Sequence, residues 1–424
     1  MPSCKVSSPQ VVVVVDGYSA GKYLHDACMR RGLRTVHVRS TDEWLESMAA
    51  PDISRYDDSF VLTDLSSPDA VISRFSELNV GAVLPGQESA VRYADVVSNI
   101  LGTPHNILSL SEARRNKFVM QDALRDAGVP CVNQIKGNDP VIIADWADKM
   151  GYPVVVKPVD SAGSDGVFIC SDRRKLVDAI DCLLGKSNIF GDAISEVVAQ
   201  EYLVGREYIV DTVSLDGEHY VCDCWLYNKK LQPNGRNLYD SETLVDESSK
   251  VCEELFSYAR QCLDAVGVNV GPAHLEIILT SDGPRLVEVG ARLNGNLNNR
   301  FSDLCVGRNQ ADLWLDAIFE PNRFKDILKE KFYRRRQPAA VFHGRSSQSG
   351  RVLSLDHDAL SDIYRLPSLF QIFLKREVGD IIERTEDLMS SSCKAYLCAE
   401  REEVLFKDVN ELRELVKDIY KVQG

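Results

Sequence analysis

The chain has 424 residues, 44% of them hydrophobic, with 63 acidic against 49 basic side chains and a formal net charge of −14. That length and apolar content support two to four domains with buried cores and exclude a disordered chain. The acidic balance excludes nucleic acid as a principal partner, because duplex binding needs a cationic face.

The opening MPSCKVSSPQ lacks the charged and apolar regions of a signal peptide, and the apolar run Val11 to Val15 is too short to span a bilayer. A cytoplasmic protein with no membrane partner is expected. The stretch VVVVVDGYSAGKYLHDACMRRGLRTVHV reads as a buried strand, a Gly-containing turn, a helix and a second strand, the start of a doubly wound α/β domain. Asp16, Gly17, Ser19 and Gly21 in the turn either cradle a phosphate at a helix N-terminus or simply pack or contact a small substrate; their spacing is not G-x-G-x-x-G. Further strands are expected at 60–63 and 82–85. The latter leads into Gln87 and Glu88, either at the ligand-binding edge of a parallel sheet or in a plain helix cap.

Residues 111–130, SEARRNKFVMQDALRDAGVP, have helical apolar spacing that ends at Gly128 and Pro130. Lys117 falls in the first turn, where a cation does not help the helix dipole; it is either a surface lysine or a group kept for an anion. In GYPVVVKPVDSAGSDGVFI, Lys157 ends an apolar strand, and burying its charge there needs an anionic partner. The turn SAGSDG can expose backbone N–H groups to phosphates as a flap, or be a plain hairpin. After a helix near 172–185, Glu201, Leu203 and Glu207 in EYLVGRE can hold a purine and its ribose. Cys222 and Cys224, spaced to share one face of a strand, lack the second pair that a zinc site needs. The 12 cysteines read as small buried hydrophobes in a reducing compartment.

From Gly271 to Arg300 two β segments, HLEIIL and RLVEVGA, flank the turn SDGP, so Glu276 and Glu288 are expected on the two strands of a hairpin. Two buried carboxylates repel, and a divalent cation between hard oxygen ligands, Mg²⁺ or Mn²⁺, resolves the repulsion. A surface hairpin with solvated carboxylates is the alternative. Arg292 follows, then the amide-rich Asn294, Gly295 and Asn296. His274 shares a strand face with Glu276 and either orients a substrate carboxylate or is a satisfied core histidine. Downstream, Tyr333 to Arg336 reads as a solvated loop, and His343 and Arg345 as reaching the active site from a C-terminal lobe. Val409, Leu412, Val416 and Ile419 read as the packing face of a final helix that Asp408 and Glu411 cap.

Taken in order over residues 110–300, these pieces resemble the ATP-grasp superfamily of carboxylate–amine ligases: Lys117 before a helix ending in GVP, VVVKP, SAGSDGV, EYLVGRE, HLEI and VEVGARLNG. VEVGAR and VDGYSAGKYL look most like the L-amino-acid ligases that make dipeptides. The resemblance implies an α/β ATP-grasp fold with an N-terminal doubly wound (pre-ATP-grasp) domain at 1–112, a central lid subdomain at 113–193, a nucleotide and metal subdomain at 194–325, and a C-terminal α+β lobe at 326–424. It implies that Lys117 and Lys157 contact ATP phosphates beneath a flap with Ser161, Gly163 and Ser164, while Glu201 and Leu203 meet adenine and Glu207 meets ribose. Glu276 and Glu288 would hold Mg²⁺ or Mn²⁺, with Glu288 and Arg292 serving the chemistry and Arg292 steadying an acyl phosphate. Gln87, Glu88, His274, Asn294, Gly295 and Asn296 are the candidate substrate residues, with Glu88 placed to pair with an ammonium group. The implied reaction joins an amino acid or similar acid to the amine of another amino acid. A ligase for a different carboxylate or a nucleotide precursor, and a non-catalytic ATP-binding regulator, are the alternatives. A homodimer follows from the family. In one respect the chain departs from the pattern: many members read E-x-N-x-R, and Gly290 stands where that Asn would be.

Overall fold

Five consecutive valines offer no polar face, so a strand built from them must be covered on both sides. In the computed structural model, which describes residues 10–45, 48–163, 165–231, 237–386, 388 and 390–423, they form β1 (Val11–Val15). This strand lies inside a parallel sheet of order β3-β2-β1-β4, with β2 (Arg34–Arg39), β3 (Asp58–Val61) and β4 (Val80–Pro85). Helix α1 (Lys22–Arg30) follows β1, α2 (Pro68–Phe75) follows β3 and α3 (Ala90–Leu101) follows β4. Val11, Val13 and Val15 face a core with Val36, Phe75 and Val97. Val12 and Val14 face another that contains Leu293, Leu297 and Trp314, so the loop after Glu288 is anchored in the N-terminal core.

Asn116 caps α4 (Lys117–Asp126) by accepting from the N–H groups of Phe118 and Val119. A second, antiparallel sheet follows, of order β5-β8-β6-β7: β5 (Gln134–Gly137), β6 (Val154–Pro158), β7 (Phe168–Cys170) and β8 (Val197–Glu201). It packs on α5 (Pro140–Met150) and α6 (Arg173–Leu183) through Ile143, Ala147, Leu176, Ile180 and Val156.

The third sheet holds eight antiparallel strands in the order β13-β12-β9-β10-β11-β14-β18-β16. They are β9 (Gly205–Leu215), β10 (Glu218–Leu231), β11 (Asn237–Leu244), β12 (Gly271–Thr280), β13 (Gly283–Gly290), β14 (Ala339–His343), β16 (Leu369–Leu374) and β18 (Cys393–Cys398). The smaller strands β15 (Gly350–Leu355), β17 (Ile381–Ile382) and β19 (Tyr420–Gln423) form a separate sheet. Helix α7 (Lys250–Ala265) buries Cys252, Leu255, Ala259 and Cys262 beside Leu275, Ile277 and Val289 of the expected hairpin. Helices α8 (Asn299–Val306), α9 (Gln310–Phe319), α10 (Pro321–Leu328), α11 (His357–Tyr364) and α12 (Glu402–Leu415) complete the chain.

Three readings of the sequence are corrected. A register shift between Val221 and Asp223 breaks the alternation of β10, and Cys222 and Cys224 pack in two different cores, not one. Tyr333 is buried with its hydroxyl on the Val245 carbonyl, and Arg335 pairs with Asp246 and Glu402, so only Arg334 and Arg336 of this loop are solvated. Asp408 caps nothing: α12 starts at Glu402, with Glu402 and Glu403 complementing the helix dipole, and the Asp408 carboxylate accepts from the Ser368 N–H. The four apolar residues of that stretch do share one core, but the chain ends on β19 rather than on the helix.

Arg114 joins the N-terminal domain to the large core. It is fully buried, donating to the Asp95 carboxylate and to the carbonyls of Ile107, Val266 and Gly267. Arg114→Met leaves Asp95 without its guanidinium, and breaking one side of such a buried pair costs about 3–5 kcal/mol. A drop in the urea and thermal midpoints of the variant is the expected result, and unchanged midpoints would remove this anchor.

Candidate active site

The hairpin of β12 and β13 sets Glu276 directly opposite Glu288, beside a register shift at Ile277. Opposed residues share a face, so the two carboxylates point into one cleft. Lys117, the first residue of α4, reaches the same place and is buried: its Nζ lies 3.0 Å from Glu288 Oε1 and 2.6 Å from the Ser161 carbonyl. The surface-lysine reading of Lys117 is thereby excluded. Lys157, the penultimate residue of β6, is also buried; burial first, and then the charge of Lys117, push its ammonium down to about 8. Burial pushes Glu276 up, but the His274 imidazole 3.8 Å away and the charges of Lys229 and Lys157 outweigh it and hold the carboxyl down at about 2. Burial likewise opposes charge on His274, yet Asp211, 2.7 Å from its Nδ1, raises it to about 10.

Around this charged floor lies a cleft of about 1060 Å³, open to solvent, whose lining includes Val155, Ile169, Leu203, Ile278 and Leu286. The hairpin of β6 and β7 overhangs it, with Gly163 and Gly166 both at φ +66°, where a side chain is strained. The base of this flap is bonded in place. Ser161 Oγ donates to Asp165 (2.7 Å), Asp165 accepts from the Ile189 N–H (3.0 Å), and Asn188 donates to the Asp160 carbonyl (2.8 Å). Ser164 lies outside the described residues.

Glu201 and Leu203 both line the cleft, but the Glu201 carboxylate is turned to Asn133, accepting from its N–H at 2.8 Å and its Nδ2 at 3.1 Å. Glu207 is paired with Lys229, a residue that the sequence reading missed. The Lys229 Nζ is 2.6 Å from Glu207 and 3.0 Å from the Tyr239 hydroxyl, and it sits over the rings of Tyr227 and Tyr239. Burial raises Glu207 while Lys229 opposes that shift. In the sequence Lys229 stands between Asn228 and Lys230, so no local pattern marks it as buried, and its carboxylate partner lies on another strand.

The other candidates divide. Glu88, expected to meet a substrate ammonium, is instead given to two guanidiniums, with Arg292 Nε at 2.8 Å and Arg115 Nη1 at 3.4 Å. Burial raises its carboxyl, but Arg292, Arg115 and Lys117 together hold it below the usual range. Gln87 is buried and donates to Ser89 Oγ. Asn294 donates to Asp211, the partner of His274, and Asn296 donates to Glu242. Gly295, between them, is exposed. His343 and Arg345 do not reach the cleft: His343 is bonded to Glu242 and Arg345 to Asp240. In the N-terminal turn the Asp16 carboxylate accepts from Ser40 and Ser89, and a Cβ on Gly86 would stand 2.5 Å from the Asp16 carbonyl. That turn is packed against the Gly86 turn.

Opposed acids, buried lysines and a glycine flap over an apolar cleft are what an enzyme needs to hold a nucleotide triphosphate. The ATP-grasp domain family matches residues 150–300. The chain belongs to the ATP-grasp superfamily of carboxylate–amine ligases and uses ATP, as its sequence resemblance implied. It is 31% identical over 422 residues to dapdiamide A synthase of Enterobacter agglomerans, covering 98% of each chain. It is 22% identical over 316 residues to the L-arginine-specific L-amino acid ligase of Bacillus subtilis, covering 72% of this chain and 71% of that one. Its fold matches that of an L-amino acid ligase from Bacillus licheniformis with a TM-score of 0.78 at 18% identity, over 98% of this chain and 99% of that one. Among the described residues no helix is long and apolar enough to cross a membrane.

The depressed Lys157 gives a pH signature. Without ligand the ammonium loses its proton as pH rises through about 8, whereas a bound polyphosphate favours the charged form. ATP affinity is expected to fall above that pH, with proton uptake on binding measurable by calorimetry in buffers of different ionisation enthalpy. Lys157→Met should remove both effects; an unchanged profile would detach Lys157 from the phosphates.

Proposed function

We propose that the protein activates the carboxylate of an amino acid or related acid with ATP and joins it to the amino group of a second amino acid, releasing ADP and phosphate. The observation that carries this reading is the facing pair Glu276 and Glu288 on the floor of a cleft that Lys117 and Lys157 also line, with Arg292 four residues after Glu288. Glu276 and Glu288 suit Mg²⁺ or Mn²⁺: they are hard oxygen donors on one face, and Glu276 is held ionised. An ion held by these two carboxylates would take its remaining oxygen ligands from nucleotide phosphates and water. When bound, the metal supplies charge neutralisation between phosphate oxygens.

The protein's own groups do the rest. A substrate carboxylate attacking the γ-phosphorus meets a second anion, and the ammonium groups of Lys117 and Lys157 offset that repulsion. Arg292 steadies the acyl phosphate that forms as ADP leaves. The flap, with Ser161 and Gly163, keeps water from the intermediate until the amine attacks its carbonyl carbon, phosphate departs and the amine loses a proton. Glu201, Leu203 and Glu207 hold the nucleoside, and Gln87, His274, Asn294, Gly295 and Asn296 bound the side on which the acid and amine are read.

Pairwise mixtures of L-amino acids with ATP and Mg²⁺ should yield ADP, phosphate and an amide in equal amounts; no phosphate above background from any pair would overturn the reading. Glu288→Gln should lower turnover by about 100-fold or more with the fold retained. Activity should be lost on chelation and recovered with Mg²⁺ or Mn²⁺. Arg292→Ala should lower kcat far more than it raises the KM for ATP, and the opposite split would remove Arg292 from the chemical step.

A further inference from the structure

Gly290 stands where the family pattern E-x-N-x-R that the sequence resembles would put an asparagine, and the structure shows what uses the space. Gly290 is not among the residues with positive φ, so its backbone does not call for glycine. A Cβ built on it would lie 2.6 Å from Glu88 Oε2 and 3.4 Å from Arg292 Cζ, and the first contact is closer than a carbon and an oxygen tolerate. The Glu88 carboxylate, carried in by the turn after β4, fills the position that a side chain at 290 would take. It is 3% exposed and accepts from Arg292 Nε at 2.8 Å. Its other oxygen faces Arg115 Nη1 at 3.4 Å, and a second nitrogen of Arg115 is on Asp160 at the base of the flap. Asp160, Arg115, Glu88 and Arg292 therefore form a continuous run of alternating charge from the flap to the arginine four residues after Glu288. A carboxylate this deeply buried is stable only while its cations stay in place, so the arrangement holds Arg292 in one orientation.

We propose that Glu88 is the positioning residue that aims Arg292 at the reacting carboxylate, that Gly290 exists to admit it, and that Arg115 ties the pair to the flap. This rests on the carboxylate–amine ligase reading above, and it gives the missing asparagine a reason: its space is used to orient the arginine. Because Glu88 is already engaged by two guanidiniums, the substrate ammonium group is received elsewhere.

The test is a double-mutant cycle of Gly290→Ala and Glu88→Ala, read with ATP and the amino-acid pair that the wild type joins best. Gly290→Ala should lower kcat for amide formation about 30-fold while the KM for ATP changes less than about threefold. In the Glu88→Ala background the same methyl meets no carboxylate and should cost less than about threefold. Arg115→Lys should recover part of the kcat that Arg115→Met loses. Equal losses from Gly290→Ala in both backgrounds, or losses that follow the KM for ATP, would overturn the positioning role and leave the ligase reading intact. A wild type that forms no amide overturns the ligase reading and, with it, the role given to Arg292. The spatial claim is then decided by the same cycle in thermal midpoints, where additivity of the two substitutions refutes it.

Discussion

The site depends on compensating like charges in a low-dielectric cleft. Glu276 and Glu288 face each other across a hairpin, and neither would remain charged there alone, because an unpaired buried carboxylate takes up a proton. The chain brings cations to them from three directions: Lys117 from the start of a helix, Lys157 from the end of a strand and Lys229 from the next sheet strand but one. Burial first, and then the neighbouring charge of Lys117, make the Lys157 ammonium easier to deprotonate. The resting site thus holds charges of both signs side by side.

That balance explains much of the architecture. Lys117 can touch Glu288 only because Asn116 caps α4 at the cleft wall, and Arg292 can lie beside Glu88 only because the following loop plunges Leu293 and Leu297 into the core of the N-terminal sheet. The loop is pinned at its far end by Tyr396, whose hydroxyl donates to the Asn296 carbonyl. Residues from the N-terminal sheet and the C-terminal strands thus converge on one short segment after Glu288.

Much of this was legible in the sequence, for a physical reason. A lysine or glutamate inside an apolar strand is expensive, so Lys157, Glu276 and Glu288 advertise themselves, and the hairpin followed from alternation and the SDG turn. Lys117 was ambiguous because helical position says nothing about what the helix end faces. Partners were the illegible part. The pair Glu88 and Arg292 is separated by 204 residues, and Lys229 with Glu207 by 22 across two strands. Nothing in local pattern reports such contacts. Bulges were equally silent: the shift after Val221 reassigned Cys222 to another core without any glycine or proline to mark it. The start of α12 was misplaced because an acidic first turn looks like a surface turn until its backbone is seen to coil.

The large sheet does not stop where the nucleotide cleft does. The edge that β11 would otherwise present is covered by β14, with Ser241, Glu242 and Thr243 opposite Phe342, Val341 and Ala340. A chain cut before β14 would bare a row of unpaired backbone donors and acceptors, an aggregation-prone template. The C-terminal portion is consequently not an appendage that can be exchanged as a cassette. Diversification of what this enzyme joins must proceed by substitution within a shared, continuous fabric rather than by recombination of interchangeable parts.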